Sequence, residues 1–305
     1  MVRDYSLQVK KAANLAVFTA LVLMLSKGAA WWRTGSVSML ASITDSMLDL
    51  LASFMNMLIL RFALMPADHN HSFGHGKAES LAALAQSAFI SGSAIFLLLQ
   101  GIHRLNAPQP LTDTSLGIAV TLFSIAATFG LVFYQSRVIR QTDSPAIKAD
   151  RLHYQTDLLM NVAILISLGL TAYGFIAADA LFAILIAVYI LFNAGKMLFD
   201  AAQLLLDQAL PEAEIKRIEA VILSTPQILG FHDLRTRRSG VVRFIQFHLE
   251  LDDHLSFVQA HAITDHLESR LRELFPQVDI VIHHEPTSVV QTEQRQTQGV
   301  EPHME

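Results

Sequence analysis

The sequence predicts a polytopic α-helical membrane protein that continues into a smaller cytosolic α+β domain. Of the 305 residues, 52% are hydrophobic and only 16% are charged, whereas soluble domains carry roughly a quarter of charged residues. Beyond about residue 212 the charged residues return and the apolar stretches shorten. We therefore predict a six-helix transmembrane domain over 1–208, an α+β domain over 209–290 and a disordered segment over 291–305.

Six apolar stretches are long enough to cross a bilayer, for which a helix needs about 20 residues. Turn-forming residues such as Pro66, Pro108 and Pro145 stand between them. The predicted spans are 12–32, 37–64, 78–101, 114–137, 147–175 and 179–199.

Lys and Arg are concentrated at one side of the predicted bundle. The N-terminal segment and the loops after spans 2 and 4 hold most of them, whereas the opposite loops hold only Arg33 and Arg104. Cytoplasmic loops carry this excess in membrane proteins. Both termini are therefore expected in the cytoplasm.

The sequence contains no cysteine, so thiolate ligands and disulfides are excluded. Any transition-metal site must use imidazole and carboxylate groups, which suit Zn2+, Fe2+, Mn2+ and Cd2+ better than Cu+. No His-Glu-x-x-His, nucleophile-elbow or phosphate-loop motif is present. No basic stripe suggests a nucleic-acid partner. We expect neither an enzyme nor a nucleic-acid-binding protein.

Two pairs of metal-ligand residues lie inside predicted spans. Span 2 contains Asp45 and Asp49, and span 5 contains His153 and Asp157. Each pair is spaced i, i+4, so its side chains project from one face of a helix. Three carboxylates and one imidazole make a four-coordinate set for a divalent cation. We predict a metal site inside the membrane domain, of the kind that marks an ion pathway.

The alternative is that these side chains only hold the bundle together. An aspartate at the centre of a spanning helix costs about 2.5–3.5 kcal/mol, so such residues face the protein interior and find partners. The one lysine of span 1, Lys27, is expected to reach the membrane interface beside Trp31 and Trp32. The three carboxylates would then lack countercharge without a cation or protons, which favours the metal site.

A second candidate site lies in the loop after span 2. Asp68, His71 and His75 are close enough in sequence to reach one ion. A polar cytoplasmic loop that merely contains histidines is the alternative, and the ligand types favour metal binding.

The C-terminal domain is predicted to contain a helix over 212–224, strands over 231–237 and 242–251, a helix over 256–274 and a strand over 278–284. This order predicts a ferredoxin-like sheet with helices on one face. Imidazole and carboxylate groups alternate with apolar residues along the last two strands. The residues that could converge on metal are His232, His248, His261, His283 and Glu285.

The six spans, the two four-residue spacings and the His-rich C-terminal domain resemble the cation diffusion facilitator family. The stretch from His71 to Glu79 resembles that family's signature after span 2. The resemblance extends to about residue 290. It implies a homodimer in the bacterial inner membrane that exports cytoplasmic Zn2+ in exchange for protons by alternating access, with Fe2+ and Cd2+ as further candidate substrates.

The resemblance also implies roles for single residues. Asp45, Asp49, His153 and Asp157 would form the transport site, and the five C-terminal ligands would hold two regulatory ions near the dimer interface. Lys77 and Asp207 match a salt bridge between the membrane helices and the C-terminal domain, and Leu152 matches an apolar gate. Glu285 stands where the family has an aspartate, and its side chain is one methylene longer.

Two other functions fit part of the pattern. A membrane-anchored metal sensor would signal through its C-terminal domain without transport. A passive cation channel would conduct without proton coupling, although four ligands around one ion hold it too tightly for fast conduction. Transport is favoured because the polar residues that are most costly to bury lie in the membrane.

Overall fold

The computed structural model describes residues 2–34, 37–106, 115–173, 175 and 177–290, in two compact units that comprise Val2–Leu205 and the residues from Leu206 onward. The segment 291–305, predicted to be disordered, lies outside the described residues. Each unit is described by itself below.

The first unit consists of six long helices, as predicted. They are α1 (Val2–Thr34), α2 (Val37–Ala63), α3 (Lys77–Asn106), α4 (Ser115–Thr142), α5 (Pro145–Ala172) and α6 (Ala178–Leu205). All but α5 are long and apolar enough to cross a membrane by length and composition. The first half of α5 carries Lys148, Asp150 and Arg151, which makes it the most polar of the predicted spans.

The packing of the bundle puts α5 at its centre. Helix α3 lies along α6 and α1 lies along α2, whereas α5 contacts each of the other five helices. The α3–α6 contact is close: a Cβ added to Gly101 would lie 2.8 Å from Ile184 Cγ1 and 3.3 Å from Ala180 O. Small residues allow such close approach between membrane helices.

A buried carboxylate joins three helices at one end of the bundle. Glu79, in the first turn of α3, is only 1% exposed. It accepts hydrogen bonds of 2.9 and 2.8 Å from Tyr5 Oη on α1. It also accepts a short hydrogen bond from Ser144 Oγ, which precedes α5. The start of α5 is therefore tied to α1 and α3.

The second unit is the predicted α+β domain. Its elements are α7 (Glu212–Leu223), β1 (Gly230–Ser239), β2 (Val242–Leu251), α8 (Phe257–Leu274) and β3 (Val278–Pro286). The sheet order is β1-β2-β3; β1 pairs antiparallel with β2, and β2 pairs parallel with β3. A parallel pair needs a crossover connection, and α8 provides it.

The core of this domain confirms the predicted alternation in β2. Ile245, Phe247 and Leu249 are at most 2% exposed and pack against Leu267 and Leu271 of α8. Helix α8 begins at a capping box, in which Ser256 Oγ accepts from Gln259 N and Gln259 Oε1 accepts from Ser256 N. One face of the sheet is thus covered, and the opposite face remains for polar side chains.

An ion pair fastens α7 to the sheet and makes a pH-dependent contribution. Arg243 on β2 donates bonds of 2.6 and 3.2 Å to Glu214 on α7, which holds the pKa of that carboxyl below its ordinary value of 4.5. The folded state therefore favours ionised Glu214. The stability that the ion pair contributes is fully present at pH values above the ordinary pKa of 4.5 and is lost as the pH falls through the lowered pKa of Glu214.

We expect Glu214→Gln to weaken hydrogen-exchange protection in α7 and β2 by about 1 kcal/mol at pH 7. The gap from wild type should close at pH values below the lowered pKa, where wild-type Glu214 is protonated too. Glu212→Gln is the matched control, because Glu212 pairs with Lys216 on an exposed part of the same helix. A gap of the same size at low pH would contradict the role of the ion pair.

Candidate metal centres

Three groups of metal-ligand residues converge in the described part of the chain, and one lies between α2 and α5. His153 Nε2 is 3.1 Å from Asp49 Oδ1 and 3.9 Å from Asp157 Oδ2, and the three ligand atoms lie within 4.8 Å of one another. The i, i+4 spacing predicted that His153 and Asp157 share a helix face. The approach of α2 to α5 adds Asp49.

The chemistry of this group suits a divalent cation. His153 is buried, and its Nε2 atom makes no hydrogen bond to any described residue. The side chains of Asp49 and Asp157 are 24% and 31% exposed, so the group can be reached from outside. A neutral imidazole and two carboxylates carry two negative charges, and imidazole with carboxylate is a common ligand set for Zn2+.

Asp45 lies outside this group and is exposed. The neighbouring residue, Ser46, is buried and accepts a 2.7 Å hydrogen bond from Lys27 Nζ of α1. The Lys27 ammonium group therefore has a partner on α2, next in sequence to Asp45, and its position at the membrane interface stays a prediction. The interhelical register that joins Lys27 to Ser46 cannot be read from either helix alone.

The loop group is organised by a tight turn. Asp68 Oδ1 accepts hydrogen bonds from the backbone N–H groups of Asn70 and His71, at 2.9 and 2.7 Å. The His71 N–H bond is the main cause that lowers the pKa of Asp68 below its ordinary value, although desolvation acts in the opposite direction. The carboxylate is thus held ionised, as a metal ligand must be.

The two histidines of the loop approach the same carboxylate. His71 Nδ1 is 3.2 Å from Asp68 Oδ1, and His75 Nε2 is 3.3 Å from Asp68 Oδ2. His75 Nδ1 lies 3.1 Å from the Pro66 carbonyl oxygen. Because a carbonyl only accepts, Nδ1 carries the hydrogen, and the Nε2 lone pair of the neutral ring faces Asp68.

The third group lies on the open face of the C-terminal sheet. His232, His248 and His283 occupy paired positions on β1, β2 and β3. Glu285, 8% exposed, joins them: its Oε1 accepts from His248 Nδ1 at 2.9 Å, and its Oε2 lies 3.4 Å from His232 Nε2. His283 Nδ1 is 3.8 Å from Glu285 Oε1.

The ligand atoms that converge are those of His232, His248 and Glu285, so His283 and His261 of the predicted set both lie outside the convergent group. His261 lies on α8 outside the group, and its Nε2 is 3.5 Å from Asp265 one turn later. Glu250 was not predicted, yet its Oε1 is 3.0 Å from His232 Nδ1. Its position two residues after His248, on the same face of β2, was the available signal.

The residues predicted as interlock and gate have local partners. Lys77 Nζ donates to Leu205 O at 3.3 Å. Asp207 Oδ1 lies 3.5 Å from Arg237 Nη1 within the C-terminal unit. Leu152 is 5% exposed and packs with Ile90, Ala94 and Ile190 of α3 and α6. The Lys77–Asp207 bridge and the gate stay predictions.

All three groups share one feature that fits metal binding. Each contains a buried ligand atom that makes no hydrogen bond within the described residues: His153 Nε2, His75 Nε2 and Glu285 Oε2. Buried polar atoms in proteins almost always have partners, and a bound cation would supply one at each position.

Comparison with known proteins identifies two domains in this chain. The cation efflux transmembrane domain matches residues 13–206, and the cytoplasmic domain of cation efflux proteins matches residues 210–287. The cation-efflux pump FieF of Shigella flexneri serotype 5b (strain 8401) is 52% identical over 293 residues, which are 96% of this chain and 98% of that protein. FieF of Escherichia coli (strain K12 / DH10B) has the same identity and coverage.

Solved structures match a smaller part of this chain. The metal-bound C-terminal domain of the CzcD transporter from Thermotoga maritima is 28% identical and covers 26% of this chain and 95% of its own, with a TM-score of 0.24. At that score the likeness supports no statement about this chain. The two domain matches and the identity to FieF, however, span nearly the whole sequence: this chain belongs to the cation efflux family, whose members are membrane cation transporters rather than enzymes.

Proposed function

We propose that this protein exports cytoplasmic Zn2+ across the bacterial inner membrane in exchange for protons, with Fe2+ and Cd2+ as further substrates. The observation that carries the proposal is the Asp49, His153 and Asp157 group between two membrane helices. The mixed imidazole and carboxylate set suits these borderline divalent cations. Asp45, one turn before Asp49, completes the proposed four-ligand set.

The same side chains couple the ion to protons. Metal binding requires a neutral imidazole and ionised carboxylates, so protons and metal compete for the same atoms. On the cytoplasmic side a cation displaces protons from these residues. When the site faces outward, the lower external pH returns protons to His153 and the carboxylates and releases the ion. The protonated site then turns inward, which completes alternating access.

The position of α5 supports a concerted movement. This helix carries His153 and Asp157 and contacts all five other helices, so a shift of α5 repacks the whole bundle. Leu152, packed between α3 and α6, would act as the gate next to the site. Both termini are placed in the cytoplasm because of the Lys and Arg distribution.

The C-terminal domain is proposed to make the protein a homodimer and to regulate it. Rising cytoplasmic metal would load His232, His248, His283 and Glu285, with His261 contributing from α8, and would stabilise one conformation of the dimer. The loop site of Asp68, His71 and His75 would bind cytoplasmic metal before it reaches the transport site.

The proposal is tested by Zn2+ uptake into proteoliposomes under an imposed pH gradient. Wild type is expected to accumulate Zn2+ in the lumen when the lumen is acidic, because protons leaving the lumen drive the ion inward. Collapse of the gradient with an ionophore should stop the accumulation. Absence of flux in folded protein with intact metal binding at the C-terminal domain would favour a sensor, and flux that ignores the pH gradient would favour a channel.

We expect His248→Ala to weaken metal regulation and to leave part of the transport intact. His248 donates to Glu285 and its ring lies 4.7 Å from the ring of His283, so its loss removes a ligand from the centre of the group. When transport rate is plotted against free Zn2+ concentration, the variant should lose the rise in rate that marks activation by metal. Its maximal rate should fall less than about tenfold. His254→Ala, on an exposed loop of the same domain, is the control. An unchanged activation curve would contradict a regulatory site.

A further inference from the structure

A polar cavity lies inside the membrane domain, on the side of α5 that faces α4 and α6. Its volume is about 330 Å³, within the range of small-ligand sites. Three cations line it: Lys148 and Arg151 from α5, and Lys196 from α6. The face of α5 that carries them is distinct from the one that carries His153 and Asp157, so this cavity is separate from the metal group.

The charges in the cavity are only partly compensated. Lys148 Nζ lies 2.5 Å from Asp143 Oδ1, outside the cavity lining. In the part of the chain that the structure describes, Arg151 and Lys196 form no ion pair, and neither does Asp200, the one carboxylate in the lining. The cavity therefore keeps a positive balance, which repels divalent cations and attracts an anion.

Hydrogen-bond donors complement these charges. Arg151 Nη1 donates a long bond of 3.5 Å to Ser136 Oγ of α4, while its Nε atom is buried without a hydrogen bond to any described residue. Gln155 and Asn193 also line the cavity, and the Asn193 amide donates to Tyr189 O at 2.7 Å. A guanidinium group whose N–H donors are not all used can donate hydrogen bonds to the oxygen atoms of a phosphate.

The depth of the cavity suits a lipid headgroup. With a rise of 1.5 Å per residue, Arg151 lies about 9 Å from the start of α5 and Lys196 about 14 Å from the end of α6. Both helix ends belong to the side rich in Lys and Arg, the predicted cytoplasmic face. Basic pockets between membrane helices on that face bind phosphate headgroups of anionic lipids.

We infer that the cavity between α4, α5 and α6 binds the phosphate headgroup of an anionic phospholipid of the inner leaflet, through Arg151 and Lys196. The bound phosphate contacts the side chain that stands two residues before His153, on the helix that carries half of the proposed transport ligands. The site accordingly gives the lipid surroundings a direct contact with α5.

The test uses native mass spectrometry of the delipidated full-length protein, titrated with phosphatidylglycerol or phosphatidylethanolamine. Wild type is expected to prefer phosphatidylglycerol. Lys196→Gln should weaken that binding about fivefold, and Arg151→Gln/Lys196→Gln about 25-fold. Lys196 is exposed, so the single variant leaves the fold intact even if the double variant does not. Arg137→Gln is the control and should bind like wild type, because Arg137 is exposed near the C-terminal end of α4 and lies outside the cavity lining.

Equal binding of the two lipids, or wild-type binding by Lys196→Gln, would overturn the inference. Inorganic phosphate separates the two sources of the same chemistry. If millimolar inorganic phosphate raises the melting temperature of wild type but not of Lys196→Gln, and wild type does not prefer phosphatidylglycerol over phosphatidylethanolamine, the cavity binds free phosphate. The lipid assignment is then wrong. A preference for phosphatidylglycerol that phosphate does not compete away supports the lipid.

Discussion

Asp49→Ala is expected to lower pH-driven Zn2+ uptake by roughly 100-fold or more, since even groups that only support a metal ligand are worth 10–100-fold. Asp49 Oδ1 lies 3.1 Å from His153 Nε2, and it is the ligand that the described residues of α2 bring to that group. Without it, His153 and Asp157 on α5 are the two ligands left in the group. Initial rates of Zn2+ uptake in proteoliposomes measure the effect.

The control variants separate loss of the ligand from loss of the fold. Asp49→Asn keeps the size of the side chain and removes its charge, so it should also lose most of the uptake while melting like wild type. Asp4→Asn removes a carboxylate from an exposed position of α1 and should transport normally. Uptake by Asp49→Ala at the wild-type rate would rule out this group as the transport site.

Glu79→Leu is expected to destabilise the membrane domain by about 3–5 kcal/mol, because it breaks a buried hydrogen-bond network that joins three helices. Tyr5 and Ser144 would lose the carboxylate that accepts from both. Ser144 Oγ also accepts from Ile147 N at 3.3 Å in the first turn of α5, so the start of that helix should loosen. For a unit of this size the melting temperature should fall by roughly 6–20 °C.

Tyr5→Phe tests the same network with a smaller change. It removes one donor and leaves Ser144 bonded to Glu79, so about 1–2 kcal/mol of stability should be lost. Thermal melting in detergent, followed by intrinsic fluorescence, measures both variants. Equal melting temperatures for Glu79→Leu and wild type would show that the network contributes no stability.

The elements of the fold followed from periodicity in the sequence. Long apolar runs predicted the six helices, and strict alternation predicted β2 with the same bounds, 242–251, that the structure has. Periodicity also placed His153 and Asp157 on one face of α5. These predictions succeeded because each depends on residues within a few turns of one another.

The contacts that escaped prediction depend on the register between elements. Lys27 reaches Ser46 because α1 and α2 lie side by side at a particular offset. Glu250 reaches His232 because β1 changes register between His232 and Arg235, where Asp233 has a φ of 50°. For His261 the helix period did contain a signal, since Asp265 follows one turn later on the same face.

The polar first half of α5 has a consequence for how the chain is made. A helix that carries Asp157 about 18 Å from its start, in addition to the charges of its first turns, inserts poorly by itself, because a carboxylate near the bilayer centre costs about 2.5–3.5 kcal/mol. Neighbouring helices provide hydrogen-bond partners that lipid lacks: Gln135 Nε2 of α4 donates to Asp150 at 2.7 Å. Because α4 is synthesised before α5, α5 is expected to enter the membrane against α4 rather than alone in lipid.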